Sequence, residues 1–153
     1  MQLMEIENSL PNGFHDAFLE SIHVDYESRR ATFKLQLWIG DIDAATKTQR
    51  EAYEESSLEL LDLVYLVVEG PDPRTKYADA KKLWIDAGEA KPGTAPGTPI
   101  PVEQLPRGTF AYWIFVRDWN SFIHVAARGA RLERSSEGVS TRSRLPTKHA
   151  AGR

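Results

Sequence analysis

The segment that decides the fold is "SIHVDYESRRATFKLQLWI", residues 21–39, in which apolar and polar side chains alternate over two runs. Successive side chains of a β-strand point to opposite faces, so a period of two predicts strands that each bury one face. The polar stretch between the two runs is short, and an antiparallel hairpin is the simplest connection for strands so close in sequence. We therefore expect a β-hairpin here.

Further strands are expected along the chain. "LELLDLVYLVV", residues 58–68, fits helical spacing as well as a strand. Its β-branched and aromatic residues, followed by Gly70-Pro71, favour a strand with a bulge near Leu61 and Asp62. "LWIDAG", residues 83–88, is typical of a short strand. A second hairpin is predicted at residues 108–133, "GTFAYWIFVRDWNSFIHVAARGARLE". Its first strand is apolar on both faces, which is typical of a central strand or of a strand between two packed layers.

These elements add up to a mainly β protein, an antiparallel sandwich or open barrel of about six strands with little helix. We expect "LPNGF", residues 10–14, to open the folded part as a turn. The glycines and prolines of residues 88–101 predict a long loop between strands of the same core. Residues 1–133 are thus predicted to form a single domain. Residues 134–153, rich in Ser, Arg and Thr and without aromatics, predict a disordered basic tail.

Composition excludes several kinds of chemistry. The 153 residues include no cysteine, which rules out disulfides, thiolate metal sites and cysteine nucleophiles and fits a cytoplasmic location. No basic stretch leads into an apolar core at the N-terminus, and no apolar run approaches 18 residues, so we expect no secretory signal and no membrane span. Residues 134–153 carry five basic residues against one acid, and the remainder sums to −7. Such an acidic body argues against binding to nucleic acid.

Four polar residues near the first turn are candidate site residues: His15, Asp16, His23 and Asp25. Adjacent residues of an extended chain point to opposite faces, so His15 and Asp16 are not expected to pair. Asp16 is expected to accept hydrogen bonds from backbone N–H groups of the turn, and His15 to bind a buried acceptor or pack at the rim of the core. His23 and Asp25 share a strand face, and with His15 and His124 they could form a His/carboxylate metal site. No spacing requires a metal, and a solvated strand face is the simpler interpretation.

Aromatic side chains suggest an interface. Trp38 falls on the polar face of its predicted strand and Trp119 on a tight turn, and Trp is enriched at protein interfaces. The alternative is structural, with a second layer burying Trp38 and with Trp119 clamping its hairpin. An exposed strand edge would also need covering, which favours a homodimer. The sequence contains no Gly-x-Ser-x-Gly elbow, P-loop, dinucleotide fingerprint or zinc knuckle, so we predict no catalytic residue, bound metal or cofactor.

The segment "LPNGFHDAFLESIHVDYESRRATFKLQLWIGD", residues 10–41, resembles the start of a group of small bacterial proteins. These proteins open with a "GFHDA" turn and continue into a Ser-x-x-x-Asp-Tyr strand, which here correspond to residues 13–17 and to Ser21, Asp25 and Tyr26. "REAYEESSLEL", "EGPDPR" and "LWIDAG" resemble later landmarks of the group. The resemblance implies a small β domain and an immunity-type binding role like that of some toxin-immunity proteins, and it supplies no catalytic residue.

Two functions remain open. In the first, which the sequence favours, the chain is a non-enzymatic domain that binds a protein partner, as an immunity-type protein or by self-association, and its acidic body suits a basic partner. In the second, it is a small metal-dependent or acid/base enzyme whose site uses His15, Asp16, His23, Asp25 and His124.

Overall fold

The computed structural model describes residues 1–75, 82–91 and 102–135. The strands are β1 (Ala17–Asp25), β2 (Arg30–Trp38), β3 (Tyr53–Val68), β4 (Leu83–Glu89), β5 (Phe110–Val116) and β6 (Ser121–Arg134). Two short α-helices, α1 (Leu3–Ser9) and α2 (Lys47–Arg50), and two 3₁₀ turns, Val102–Gln104 and Arg117–Trp119, complete the described elements. None of the helices among these residues is long and apolar enough to cross a bilayer.

The strands form one antiparallel sheet in the order β1-β2-β3-β6-β5-β4, which closes into a barrel where β1 pairs with β4. The closing contact is short: Ala17–Leu19 lie opposite Leu83–Ile85. The prediction of a mainly β, antiparallel protein with about six strands is confirmed. Of the predicted architectures, the barrel is the one found. It is closed and not open, because β1 pairs with β4.

Both predicted hairpins are confirmed. β1 pairs with β2 from Phe18 opposite Gln36 to Asp25 opposite Arg30, and β5 pairs with β6 across the Arg117–Trp119 turn. The strand predicted at residues 58–68 is also found, but it begins at Tyr53. Its pairing with β6 shifts register between Leu63 and Tyr65, slightly beyond the predicted bulge.

The core follows the predicted alternation. Inward-facing side chains from every strand interdigitate inside the barrel and are almost fully buried, which is the arrangement that stabilises a barrel of this size. They include Phe33, Leu35, Leu37, Leu60, Ile85, Tyr112, Val116, Ile123 and Val125.

The expectation that the folded part opens at residue 10 is wrong, because α1 precedes it and belongs to the core. Leu3 and Ile6 are each only 2% exposed and pack into the main apolar cluster. The hydroxyl of Tyr112 donates a hydrogen bond of 2.9 Å to Glu7 and ties the helix to β5. Burial raises the pKa of the Glu7 carboxyl, an effect that the Tyr112 hydrogen bond opposes.

The last strand reaches the first residue of the predicted tail. Arg134, predicted to begin the tail, is the last residue of β6, and its Nε donates to Glu54 on β3 at 2.6 Å. Residues 136–153 of the predicted tail and residues 92–101 of the predicted Gly/Pro loop lie outside the described residues.

Candidate functional site

Ion pairs join the neighbouring strands β2, β3 and β6 on the outer wall of the barrel. Glu59 on β3 accepts from Arg30 on β2 at 3.2 Å and from Arg131 on β6 at 2.5 Å, and Glu54 accepts from Arg134. We call this surface the ion-pair wall. The opposite charges of this surface pair with one another beside solvent, as expected for a solvated strand face. Exposed ion pairs of this kind contribute little free energy.

Another part of the outer wall, formed by β1, β4, β5 and the start of β6, is aromatic. We call it the aromatic wall and define it by Phe18, Trp84, Trp113, Phe115 and Phe122. Ring centroids lie 3.8 Å apart for Phe18 and Trp84, 5.0 Å apart for Phe115 and Phe122, and 6.2 Å apart for Trp113 and Phe122. Four of these residues are half-buried and leave part of their apolar surface exposed to solvent: Trp84, Trp113, Phe115 and Phe122. This confirms that β5 is apolar on both faces.

A charged cluster of His15, Asp16, Asp86 and Arg117 divides the aromatic wall. Asp16 takes a left-handed backbone conformation, φ 53°, immediately before β1, and Asp86 points outward from β4. Arg117, just after β5, donates to Asp16 at 2.5 Å. The Nδ1 atom of His15 bonds to Asp86 Oδ1, and its Nε2 atom lies 3.2 Å from Asp16 Oδ2. Each nitrogen of the imidazole therefore faces a carboxylate.

Three expectations for His15 and Asp16 are wrong. The two residues do pair, because the left-handed turn at Asp16 removes the extended geometry that would have separated them. Within the described part of the chain no backbone N–H donates to the Asp16 carboxylate, since barrel closure brings the Arg117 guanidinium there instead. His15 is exposed, with 64% of its side chain accessible, and it binds the half-buried Asp86 rather than a buried group.

The remaining predicted site residues lie elsewhere. His23 is exposed on β1 opposite Thr32. Asp25 accepts hydrogen bonds from Ser28 and Glu27 in the β1–β2 turn, and those from the side chain and backbone of Ser28 chiefly lower its pKa. His124 on β6 is completely buried, and its Nε2 atom bonds to Glu69 at 3.0 Å. Its ring lies beside that of Phe122 on the same face of β6, with the centroids 5.8 Å apart, and so it packs against the aromatic wall.

The two tryptophans singled out from the sequence both make contacts within the fold. The indole N–H of Trp38 donates to the carbonyl of Arg50 at 2.7 Å, and Trp119 is half-buried against the main core. Sequence reasoning missed Trp84, Trp113, Phe115, Phe122, Asp86 and Arg117. The aromatics were detectable, because "AYWIF" and "LWIDAG" place large apolar residues on both faces of their strands, so that one set must lie outside the core.

Two open grooves flank the charged cluster. The first groove, of about 480 Å³, is lined by His15, Asp86, Ala87, Trp113, Phe115 and Phe122. The second groove, of about 330 Å³, lies on the other side and is lined by residues that include Tyr53, Trp84 and Arg117. Burial, reinforced by the Asp16 and Glu51 carboxylates, raises the pKa of Tyr53 to about 12, so this phenol keeps its proton and can donate a hydrogen bond.

The charged cluster also has the donor types of a metal site. His15, Asp16 and Asp86 each offer one ligand atom, and these atoms lie within 4.8 Å of one another. However, the Arg117 guanidinium already donates to Asp16 and lies 3.9 Å from Asp86 Oδ2. A fixed cation beside both carboxylates opposes a metal ion electrostatically, so the residues fit an ion-pair network better than a metal centre.

Two substitutions of Asp16 separate the contribution of its left-handed backbone conformation from that of its charge. Asp16→Asn should lower the free energy of unfolding by less than about 1 kcal/mol, because only a partly exposed ion pair is lost. Asp16→Ala should cost about 1–2 kcal/mol more, since alanine tolerates a left-handed conformation poorly, whereas asparagine adopts it readily. Urea unfolding of both variants measures the difference. Equal destabilisation by Asp16→Asn and Asp16→Ala would show that the left-handed conformation of residue 16 adds nothing to the cost of the alanine substitution.

The fold and site define a class of small protein: a closed six-stranded antiparallel barrel with ion pairs between β2, β3 and β6 and an aromatic surface on β1, β4, β5 and the start of β6. No family model, curated protein or solved structure matches the chain. The function is therefore inferred from the contacts at the aromatic wall.

Proposed function

We propose that this protein is a non-enzymatic domain that binds another protein through its aromatic wall. The observation that carries the proposal is the asymmetry of the barrel surface. Ion pairs satisfy the charges on β2, β3 and β6, whereas Trp84, Trp113, Phe115 and Phe122 leave apolar area on either side of the charged cluster. Exposed apolar area costs free energy in water, and on soluble proteins apolar patches mark interaction sites.

The arrangement of the wall matches the anatomy of a protein interface. Such interfaces have an apolar, aromatic centre with polar groups around it, and Trp, Tyr and Arg contribute most of their binding energy. Here Trp113 lines the first groove, and Trp84 and Arg117 line the second. The charge of −7 over residues 1–133 favours a basic partner through complementary potentials. That this partner is a toxin, as the sequence resemblance implies, stays a prediction.

Self-association is a special case of the same proposal. The predicted homodimer rested on an exposed strand edge, and the closed strand order gives each strand a neighbour on both sides over part of its length. Closure of the barrel therefore leaves less strand edge for a second copy to pair with. A second copy could still be the partner through the aromatic wall, and the measured oligomeric state would show this.

The enzymatic alternative has less support from the geometry. The group predicted for it does not assemble, because only His15 and Asp16 join the charged cluster. Both nitrogens of His15 face carboxylates, which leaves neither directed at a substrate in the groove. A general base needs a nitrogen within hydrogen-bond reach of the proton that it removes.

Affinity capture with matched variants tests the proposal. The purified full chain, Trp113→Ala and Tyr26→Ala are each immobilised and exposed to extracts of the source cells at physiological salt, and any retained protein is purified for affinity measurement. Removing an aromatic anchor at an interface centre should weaken binding by about 30-fold or more. Tyr26 is 88% exposed in the β1–β2 turn outside the wall, so Tyr26→Ala should bind like the unchanged protein.

Two outcomes would refute the proposal. One is that no protein is retained and light scattering shows a monomer at high concentration. The other is that Trp113→Ala binds the retained protein as tightly as the unchanged chain does. A dimer that Trp113→Ala dissociates would instead identify the second copy as the partner.

A further inference from the structure

We infer that the first groove receives a cationic side chain of the protein partner, an arginine, against Asp86 and between the rings of Trp113, Phe115 and Phe122. This inference rests on the proposed function and adds the chemistry of the contact. It follows from a carboxylate oxygen of Asp86 that is open to a donor, from the nature of the groove walls and from the way the rings are held.

The charged cluster still offers a carboxylate oxygen to the groove. In the cluster, the carboxylates of Asp16 and Asp86 face both nitrogens of His15 and the guanidinium of Arg117. Asp86 Oδ1 is bonded to His15, whereas among the described residues Oδ2 faces only the Arg117 Nε at 3.9 Å, beyond hydrogen-bond distance. A carboxylate oxygen can accept two hydrogen bonds, so Oδ2 retains its capacity to bind a donor from the groove.

The walls of the groove suit an organic cation. The face of an aromatic ring attracts a guanidinium or ammonium group, and a groove formed by three rings and one carboxylate combines this attraction with an ion pair. The chain already makes such contacts next to the charged cluster, where Lys82 lies 4.5 Å from the centre of the Phe18 ring and Arg117 lies 5.3 Å from that of Trp84. Arginine fits best, because its planar guanidinium stacks on rings and binds a carboxylate with two hydrogen bonds.

The rings are held in place before binding. A Cβ at Gly88 would lie 2.4 Å from Trp113, so the indole rests directly on the β4 backbone. Phe122 stacks beside the buried His124, which Glu69 fixes through its Nε2 atom. Such preorganisation lowers the entropic cost of ordering side chains on binding.

A titration followed by ¹⁵N NMR tests the inference. The full chain is titrated with N-acetylarginine amide and with its citrulline counterpart, which has a similar shape but no charge. Arginine should shift the Trp113 indole N–H and the amides of Asp86 and Ala87, and citrulline should bind about tenfold more weakly, which corresponds to about 1.4 kcal/mol. Asp86→Asn should reduce the arginine affinity to the citrulline level. Asp43→Asn, the same change at an exposed aspartate outside the groove, should leave it unchanged.

Several outcomes would overturn the inference. Equal binding of citrulline would show that the groove recognises only apolar surface. Shifts of Asp86 with Zn²⁺ or Mg²⁺ but none with arginine would identify a metal site. If arginine does not bind while Trp113→Ala still loses the protein partner, this inference fails and the protein-binding proposal stands. If arginine binds while Trp113→Ala keeps its partner, the groove recognises arginine but does not hold that partner, so the protein-binding proposal fails and this inference fails with it.

Discussion

Replacing Ile6 with alanine should lower the free energy of unfolding by about 2–5 kcal/mol. Ile6 lies on α1, is 2% exposed and packs into the main core with Leu3 and Leu10. The substitution removes three carbons from a buried position and leaves a cavity, because the barrel beneath is held by strand pairing and cannot collapse to fill it. Urea unfolding followed by tryptophan fluorescence measures the change.

Met4→Ala is the matched control for Ile6→Ala. Met4 lies on the same seven-residue helix but is 42% exposed, so its truncation should change the stability by no more than about 0.5 kcal/mol. Alanine favours helix in both variants, and helix propensity therefore does not explain a difference between them. If both substitutions have the same small effect, α1 does not contribute its buried face to the core.

The N-terminal helix shows why part of the fold was missed. Leu3, Ile6 and Leu10 follow helical spacing, which is a detectable signal. However, a helix of seven residues gives fewer than two full turns of pattern, and its stability comes from tertiary packing rather than from local propensity. The hairpins, in contrast, were predictable because strand alternation and a short turn are local properties of the chain.

The candidate site was predictable only in part for a related reason. His15 and Asp16 stand out in the sequence, but their partners Asp86 and Arg117 lie 71 and 101 residues away. These residues meet only because β1 closes the barrel against β4, and that pairing spans three residues with no sequence signature of its own. The aromatic wall likewise becomes a single surface only when β4, β5 and β6 lie side by side.

Replacing Gly40 with alanine should lower the free energy of unfolding by about 3 kcal/mol, the upper part of the range for overpacked sites. A Cβ at this position would lie 2.0 Å from the carbonyl oxygen of Arg50 and 2.5 Å from Trp38 Nε1. The first contact is with backbone, so no side-chain rotation relieves it. The backbone around it is also fixed, because Asn12 donates to the Gly40 carbonyl at 2.9 Å and Trp38 donates to that of Arg50.

Gly70→Ala serves as the control for Gly40→Ala, because nothing lies within 4 Å of its Cβ position and its φ is not in the left-handed region. Its stability should change by no more than about 0.5 kcal/mol. The clash at Gly40 displaces Trp38 and Arg50, which line the second groove, and neither residue touches the first. Below its unfolding temperature Gly40→Ala should therefore still bind N-acetylarginine amide. Loss of that binding in the folded variant would show that the two grooves depend on each other through the charged cluster.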